Sequence, residues 1–281
     1  MGSQFLNNRS PIGIFDSGYG GLTIFKEIIK QLPQYDYIYL GDNARAPYGT
    51  RSFDTVYKYT LQCVKWFFDN DCPLVILACN TASAKALRNI QQLDLKHITN
   101  PEHRVLGVIR PTSEIIGKYT SSQHVGLLAT SGTVASESYL IEIKKFWPKI
   151  QLFQQACPMW VPLIENNEYN TPGARYFFKK DVDSLFFQSP KIDTILLGCT
   201  HYPVLSDILE ELIPDSVKLI SQDNIIAESL VDYLDRHQNL EEKISKDGSV
   251  RFCSTGNDAD FNKHAPLFFG QSVKSEHIDL G

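Results

Sequence analysis

No stretch of the 281-residue chain approaches the roughly 18 consecutive apolar residues that a membrane-spanning helix needs, so a membrane partner is not expected. Lysines and arginines form no cluster, and acidic residues outnumber basic ones to leave a net charge of −5, which argues against a nucleic-acid-binding surface. There is no Cys-x-x-Cys pair. Cys199-Thr200-His201 has a single residue between its candidate ligands, and no second cluster completes a zinc site, so no metal is expected. The amino terminus, Met1 to Ser10, lacks the apolar centre of a signal peptide, and Leu6 stands where a myristoylation motif wants Ser or Thr. Six cysteines in a long chain of this kind read as free thiols in a reducing cytoplasm rather than as a disulfide framework.

What is present is a plan used twice. Val75-Ile76-Leu77-Ala78-Cys79-Asn80-Thr81 is matched 120 positions later by Ile195-Leu196-Leu197-Gly198-Cys199-Thr200-His201, each an aliphatic run ending in a small residue, a cysteine and a polar pair. Upstream of each, Ile12-Gly13-Ile14-Phe15-Asp16-Ser17-Gly18 resembles Val125-Gly126-Leu127-Leu128-Ala129-Thr130-Ser131-Gly132. Apolar runs this short, feeding turns and then helical spacing, read as buried parallel strands. Strands near 12–16, 37–40, 74–78, 105–109, 125–129, 150–154, 194–197, 217–220 and 250–254 alternate with helices near 22–32, 52–69, 134–146, 173–187 and 223–236. The expected fold class is α/β, with two related, doubly wound parallel-sheet lobes facing each other across a cleft. The first lobe would take residues 11–100 and 214–281, the second 101–213. The segment after Pro214 has no counterpart in the repeat and is expected to complete one of the sheets. Each cysteine is expected at a strand's carboxyl end, where open α/β sheets bind ligands, beside a helix amino terminus that favours a thiolate.

Two thiols converging on one small molecule suit inversion of a stereocentre beside a carboxylate. One base removes the α-proton, an acid on the opposite face returns another, and the roles exchange in the reverse direction. A cysteine thiol begins near pKa ~8.5, within reach of neutrality. The α-proton of an amino acid is far less acidic, and each unit of mismatch costs roughly 1.4 kcal/mol. Positioning and stabilisation of a carbanion-like transition state must therefore supply most of the acceleration. The turns offer neutral donors for this: Ser17, the Gly18 to Gly21 backbone, Tyr48-Gly49, Asn80, Thr81 and Thr200. Gly18-Tyr19-Gly20-Gly21-Leu22-Thr23 is not a dinucleotide fingerprint, because Thr23 occupies the position that wants Gly or Ala.

The segments Gly13 to Thr23, Gly41 to Gly49, Ala78 to Ser83 and Gly198 to Pro203 together resemble the glutamate racemases of the aspartate/glutamate racemase superfamily, in the family's order and over residues 12 to 203. The resemblance implies cofactor-independent, two-base interconversion of L- and D-glutamate for peptidoglycan precursors by a cytoplasmic homodimer. It implies that Cys79 acts on the D enantiomer and Cys199 on the L, with Asp16 and His201 assisting. Substrate contacts would come from Asp16, Ser17, Tyr48, Gly49, Asn80, Thr81, Thr200 and His201. Glu165 falls where the family carries an acidic residue near the site, although the sequence alone reads it equally as a loop carboxylate. Two departures stand out: Asn43 replaces the usual Thr, and Arg110-Pro111-Thr112-Ser113 replaces the more frequent Glu-Pro-Gly form. Asp16 also reads as a helix cap and Tyr48 as a turn residue. Cys63, Cys72, Cys157 and Cys253 read as buried structural thiols. A superfamily member acting on aspartate, a hydantoin or maleate, and a non-catalytic two-lobed amino-acid-binding protein, are the alternatives.

Overall fold

The computed structural model describes residues 10–98 and 100–280, so the amino-terminal reading above lies, up to residue 9, outside the described residues. Two parallel sheets carry the chain. The first contains β1 (Ile12–Asp16), β2 (Tyr37–Gly41), β3 (Leu74–Leu77), β4 (Arg104–Gly107), β9 (Val250–Ser254) and β10 (Ser275–His277), in the order β10-β9-β2-β1-β3-β4. The second contains β5 (His124–Ala129), β6 (Gln151–Ala156), β7 (Thr194–Gly198) and β8 (Lys218–Ile220), in the order β6-β5-β7-β8. The fold is thus α/β, as the sequence suggests, and the repeat is visible in its topology: β2-β1-β3-β4 and β6-β5-β7-β8 are the same arrangement.

Sheet membership crosses the lobe limits expected from sequence in two places. β4, within residues 101–213, pairs with β3, and β8, beyond residue 214, pairs with β7. The segment after Pro214 therefore completes both sheets, and β8 does have a counterpart, in β4. At three residues β8 is too short to register as a repeat.

The central strands are buried on both faces because helices cover both. Phe15, Leu40, Val75 and Leu77 pack with Val56, Cys63, Val64 and Phe67 of helix Phe53–Asp69. That helix starts at Ser52, whose Oγ accepts the Thr55 amide at 3.2 Å. On the opposite face, Ile12, Ile14, Tyr39 and Ile76 meet helices Leu22–Gln31, Asp223–Arg236 and Asp258–Phe269. Full burial of each such aliphatic or aromatic side chain contributes about 1.5–3 kcal/mol.

Two local expectations are corrected. The helix expected over 134–146 is two helices, Ser131–Ala135 and Ser138–Phe146, broken where Glu137 takes a left-handed φ of 54°. The first begins earlier than expected because Thr130 caps it, accepting the Thr133 amide at 3.3 Å. The strand expected over 105–109 ends at Gly107, and Ile109 already belongs to helix Ile109–Ile115. Pro111 lies in that helix's first turn, where no backbone donor is required.

Candidate active site

Strand register brings the two halves of the repeat to one place. Phe15 pairs with Leu77, which sets Cys79 beside Ser17 just beyond the sheet edge. Ala129 pairs with Gly198, which sets Cys199 beside Thr130 in the second sheet. Both carboxyl edges face one small cavity, and both cysteines line it. The lobes touch around it: Thr23 Oγ1 donates to the Thr200 carbonyl at 3.1 Å, and Thr81 and Thr130 hydroxyls lie 3.0 Å apart. Gly20 must be glycine for this closure, since a Cβ there would stand 2.3 Å from both His201 Nδ1 and Thr200 Oγ1.

The two thiols are set differently. Cys79 is 5% exposed and caps helix Asn80–Lys85, with Sγ accepting the Ala82 amide at 3.5 Å and reaching Ser17 Oγ at 3.5 Å. Burial raises its pKa to about 12, the Asp16 carboxylate adds to that rise, and the Ser17 and Ala82 contacts oppose it. Cys199 is 6% exposed and does not meet an α-helix amino terminus, contrary to expectation. The chain continues instead through a 3-10 turn, Tyr202–Leu205, whose second residue is Pro203. The neighbour of Cys199 is His201, with Nδ1 3.9 Å from Sγ, while His201 Nε2 lies 3.0 Å from Glu165 Oε1. Burial opposes the imidazolium, but the contacts with Cys199 and Glu165 override it and raise the His201 pKa to about 10. The ring of Phe268 stands edge-on to the imidazole at 5.1 Å between centroids, so the segment beyond residue 236 also reaches the site.

Of the residues singled out from sequence, Ser17, Tyr48, Gly49, Cys79, Asn80, Thr81, Glu165, Cys199, Thr200 and His201 line the cavity. Asp16 is not among them; it is 1% exposed, accepting the Gly18 amide at 2.8 Å and facing Thr200 Oγ1 at 3.5 Å. Burial raises its pKa, against the pull of His201 and the Gly18 and Gly21 amides. It is not a side-chain cap of helix Leu22–Gln31. Tyr48 presents its ring to the cavity while its hydroxyl donates to Asp42 Oδ2, away from any ligand. Asn80 Oδ1 accepts from the Tyr139 hydroxyl at 2.6 Å, and its buried Nδ2 has no hydrogen-bond partner among the described residues.

Pro47, Thr50, Thr130, Ser131, Cys157, Pro158, Val161 and Pro162 also line the cavity, and sequence reasoning did not place them there. For Thr130 the signal was available, because it occupies in the repeat the place of Ser17. Cys157-Pro158 follows β6 directly, whereas Asp42 to Ala46 separate Pro47-Tyr48 from β2, so the repeat gives no such signal for it. Cys157 is indeed buried, with Sγ directed at the Gln155 carbonyl at 3.5 Å, but it forms part of the wall.

Among the lining residues the ionisable groups other than thiols and Tyr48 are Glu165 and His201. None of the described lining residues is a lysine. A small ligand with carboxylates would be met by hydroxyls, amides and backbone donors, with one thiol from each lobe on the wall.

Comparison with known proteins agrees with this chemistry. The family model described as Asp/Glu/Hydantoin racemase matches residues 12–229. A glutamate racemase of Streptococcus gordonii is 37% identical over 279 residues, 98% of this chain and 100% of that one. The crystal structure of glutamate racemase isoform RacE1 from Bacillus anthracis aligns with a TM-score of 0.86 at 30% identity, over 98% of this chain and 99% of that one. The glutamate racemase of Francisella tularensis, solved in complex with D-glutamate, aligns with a TM-score of 0.84 at 31% identity, over 97% and 98% of the two chains.

Proposed function

The chain belongs to the Asp/Glu/hydantoin racemase family and is an amino-acid racemase, and from that premise we propose that it interconverts L- and D-glutamate by a two-base mechanism between Cys79 and Cys199, without a cofactor. The observation that carries this reading is the pair of thiols, one from each lobe, on the wall of a single small cavity otherwise rich in neutral donors. The relative that binds D-glutamate supports glutamate as substrate.

In the L-to-D direction, the Cys199 thiolate removes the α-proton and the Cys79 thiol delivers its own proton to the opposite face of Cα. The resting electrostatics suit this direction, with a protonated His201 beside Cys199 and a neutral thiol at Cys79 next to Asp16. After turnover Cys79 is the thiolate and Cys199 the thiol, ready for the reverse reaction. Ser17 and the Ala82 amide then stabilise the Cys79 anion. Asn80, Thr81 and Thr200, with Ser17 and the Tyr48-Gly49 backbone, hold the carboxylates, and each charge-assisted bond is worth about 1.5–3 kcal/mol. His201 keeps its charge through Glu165. The remaining parts of the reading, a cytoplasmic homodimer that supplies D-glutamate for peptidoglycan precursors, follow the motif resemblance rather than the geometry.

The test is conversion of enantiomerically pure L-glutamate and L-aspartate, with a metal chelator present and no added cofactor. Conversion of glutamate alone supports the proposal. Conversion confined to aspartate would refute the substrate, and binding without conversion of either would refute the enzyme mechanism.

A further inference from the structure

Asn80 and Tyr139 come from different lobes, yet their side chains meet behind the cavity. Asn80 opens the helix that follows Cys79 and is 2% exposed, while Tyr139, in helix Ser138–Phe146, is fully buried. Tyr139 Oη lies 2.6 Å from Asn80 Oδ1 and 2.7 Å from Gln222 Nε2. Gln222, 3% exposed, immediately precedes helix Asp223–Arg236, and its Nε2 also reaches Thr112 Oγ1 at 2.8 Å and the Val108 carbonyl at 3.3 Å. Val108 precedes the helix after β4 and Gln222 the helix after β8, so these two are counterparts in the repeat.

A side-chain amide has a donor end and an acceptor end, and its partners decide which way it faces. The Val108 carbonyl can only accept, so the end of Gln222 directed at it is the NH2. Thr112 gives its own hydroxyl proton to the same carbonyl at 3.0 Å, and therefore accepts from Gln222. Gln222 Oε1 has no partner among the described residues, so the amide is held through its nitrogen. The two Gln222 amide protons go to the two shorter contacts, Thr112 Oγ1 at 2.8 Å and Tyr139 Oη at 2.7 Å, with the Val108 carbonyl at 3.3 Å sharing the first, so Tyr139 accepts from Gln222 and places its single proton on Asn80 Oδ1. The Asn80 NH2 is the end left for the cavity, which Asn80 lines and where its Nδ2 is otherwise unpartnered among the described residues.

The geometry points to Tyr139 and Gln222 as positioning residues that fix the Asn80 amide with its donor end toward the substrate carboxylate. A reversed amide would set its oxygen against a carboxylate and replace attraction with repulsion. This deepens the racemisation proposed above and rests on it, since Asn80 touches substrate only in that reading. It also explains why a buried polar chain runs across the contact between lobes where an apolar one would pack as well.

The experiment is a double-mutant cycle on kcat/KM for glutamate, combining Tyr139→Phe with Asn80→Ala. Asn80→Ala alone should lower kcat/KM about 10- to 100-fold, the worth of a hydrogen bond to a charged group. Tyr139→Phe should lower it about 5- to 20-fold in the wild-type background, and less than about twofold once Asn80 is alanine. Equal losses in both backgrounds would mean a general structural role and overturn the proposal, as would no loss from Tyr139→Phe alone. If Asn80→Ala itself leaves kcat/KM unchanged, the substrate contact falls and this inference with it, whereas a wild type that racemises nothing refutes the function instead. Gln222→Leu in place of Tyr139→Phe gives a second, independent cycle, and thermal melts of each variant show that the folded protein is being assayed.

Discussion

Replacing Glu165 by glutamine isolates the charge that sustains His201. The substitution keeps the size and the hydrogen-bonding capacity of the side chain but removes the carboxylate 3.0 Å from Nε2. His201 is raised from 6.5 to about 10, with Cys199 and Glu165 as the raising partners and burial opposing them. The Glu165 side chain is 21% exposed, so solvent screens part of its share. A downward shift of about 1–2 pH units is expected, or about 1.4–2.7 kcal/mol against the imidazolium. The assay is kcat/KM between pH 6 and 10.5 for each enantiomer separately. In the variant the alkaline fall should begin that much earlier. The two enantiomers should fall together at every pH, because an equilibrium constant of one forces their kcat/KM values to be equal. An unchanged alkaline limb would refute the role assigned to the Glu165–His201 pair, and a limb shifted upward would refute its sign.

Further outcomes follow from the same geometry. The raised His201 contributes folding stability that is full below 6.5 and is lost as pH climbs through about 10, so thermal melts should decline over that interval and Glu165→Gln should flatten the decline. Tyr48→Phe leaves buried Asp42 without one donor and should cost about 1–3 kcal/mol of stability in denaturant titrations, while kcat/KM changes less than about threefold because the hydroxyl faces away from the cavity. Gly20→Ala forces a methyl group onto His201 and Thr200 and should cost about 1–3 kcal/mol of stability together with a loss of activity larger than that of Tyr48→Phe. Cys79→Ala and Cys199→Ala should each abolish racemisation while D-glutamate binding, measured by calorimetry, survives; near-normal turnover in either variant would refute the two-base scheme.

The strands and the duplication are legible in sequence because both depend on local pattern: short aliphatic runs, each ending in a small residue and a turn. The two cysteine strands reveal themselves by repeating one another. β8 was missed as a repeat member because a three-residue edge strand carries too little pattern, and the break at Glu137 was missed because nothing in the sequence around it requires a left-handed residue. Within the site, the residues flanking each strand end could be named, since strand register delivers them there. Asp16, expected at the ligand, is not among the residues lining the cavity and accepts from Thr200 Oγ1 at 3.5 Å. Cys157 follows the end of β6 and could have been placed the same way, whereas Val161 belongs to the wall through helix Trp160–Glu165, which no local spacing announces. The Gln222–Tyr139–Asn80 chain joins three segments far apart in sequence and could only be found in space.

The central claim is that two monoprotic thiols work from opposite faces of one carbon, and early turnover in heavy water tests it most directly. With L-glutamate as substrate and conversion kept low, the D-glutamate formed should carry deuterium at Cα while the remaining L-glutamate stays unlabelled, and the reverse should hold starting from D-glutamate. Product that retains the original proton, or deuterium entering substrate and product alike from the first turnovers, would show a single base serving both faces and would contradict the account.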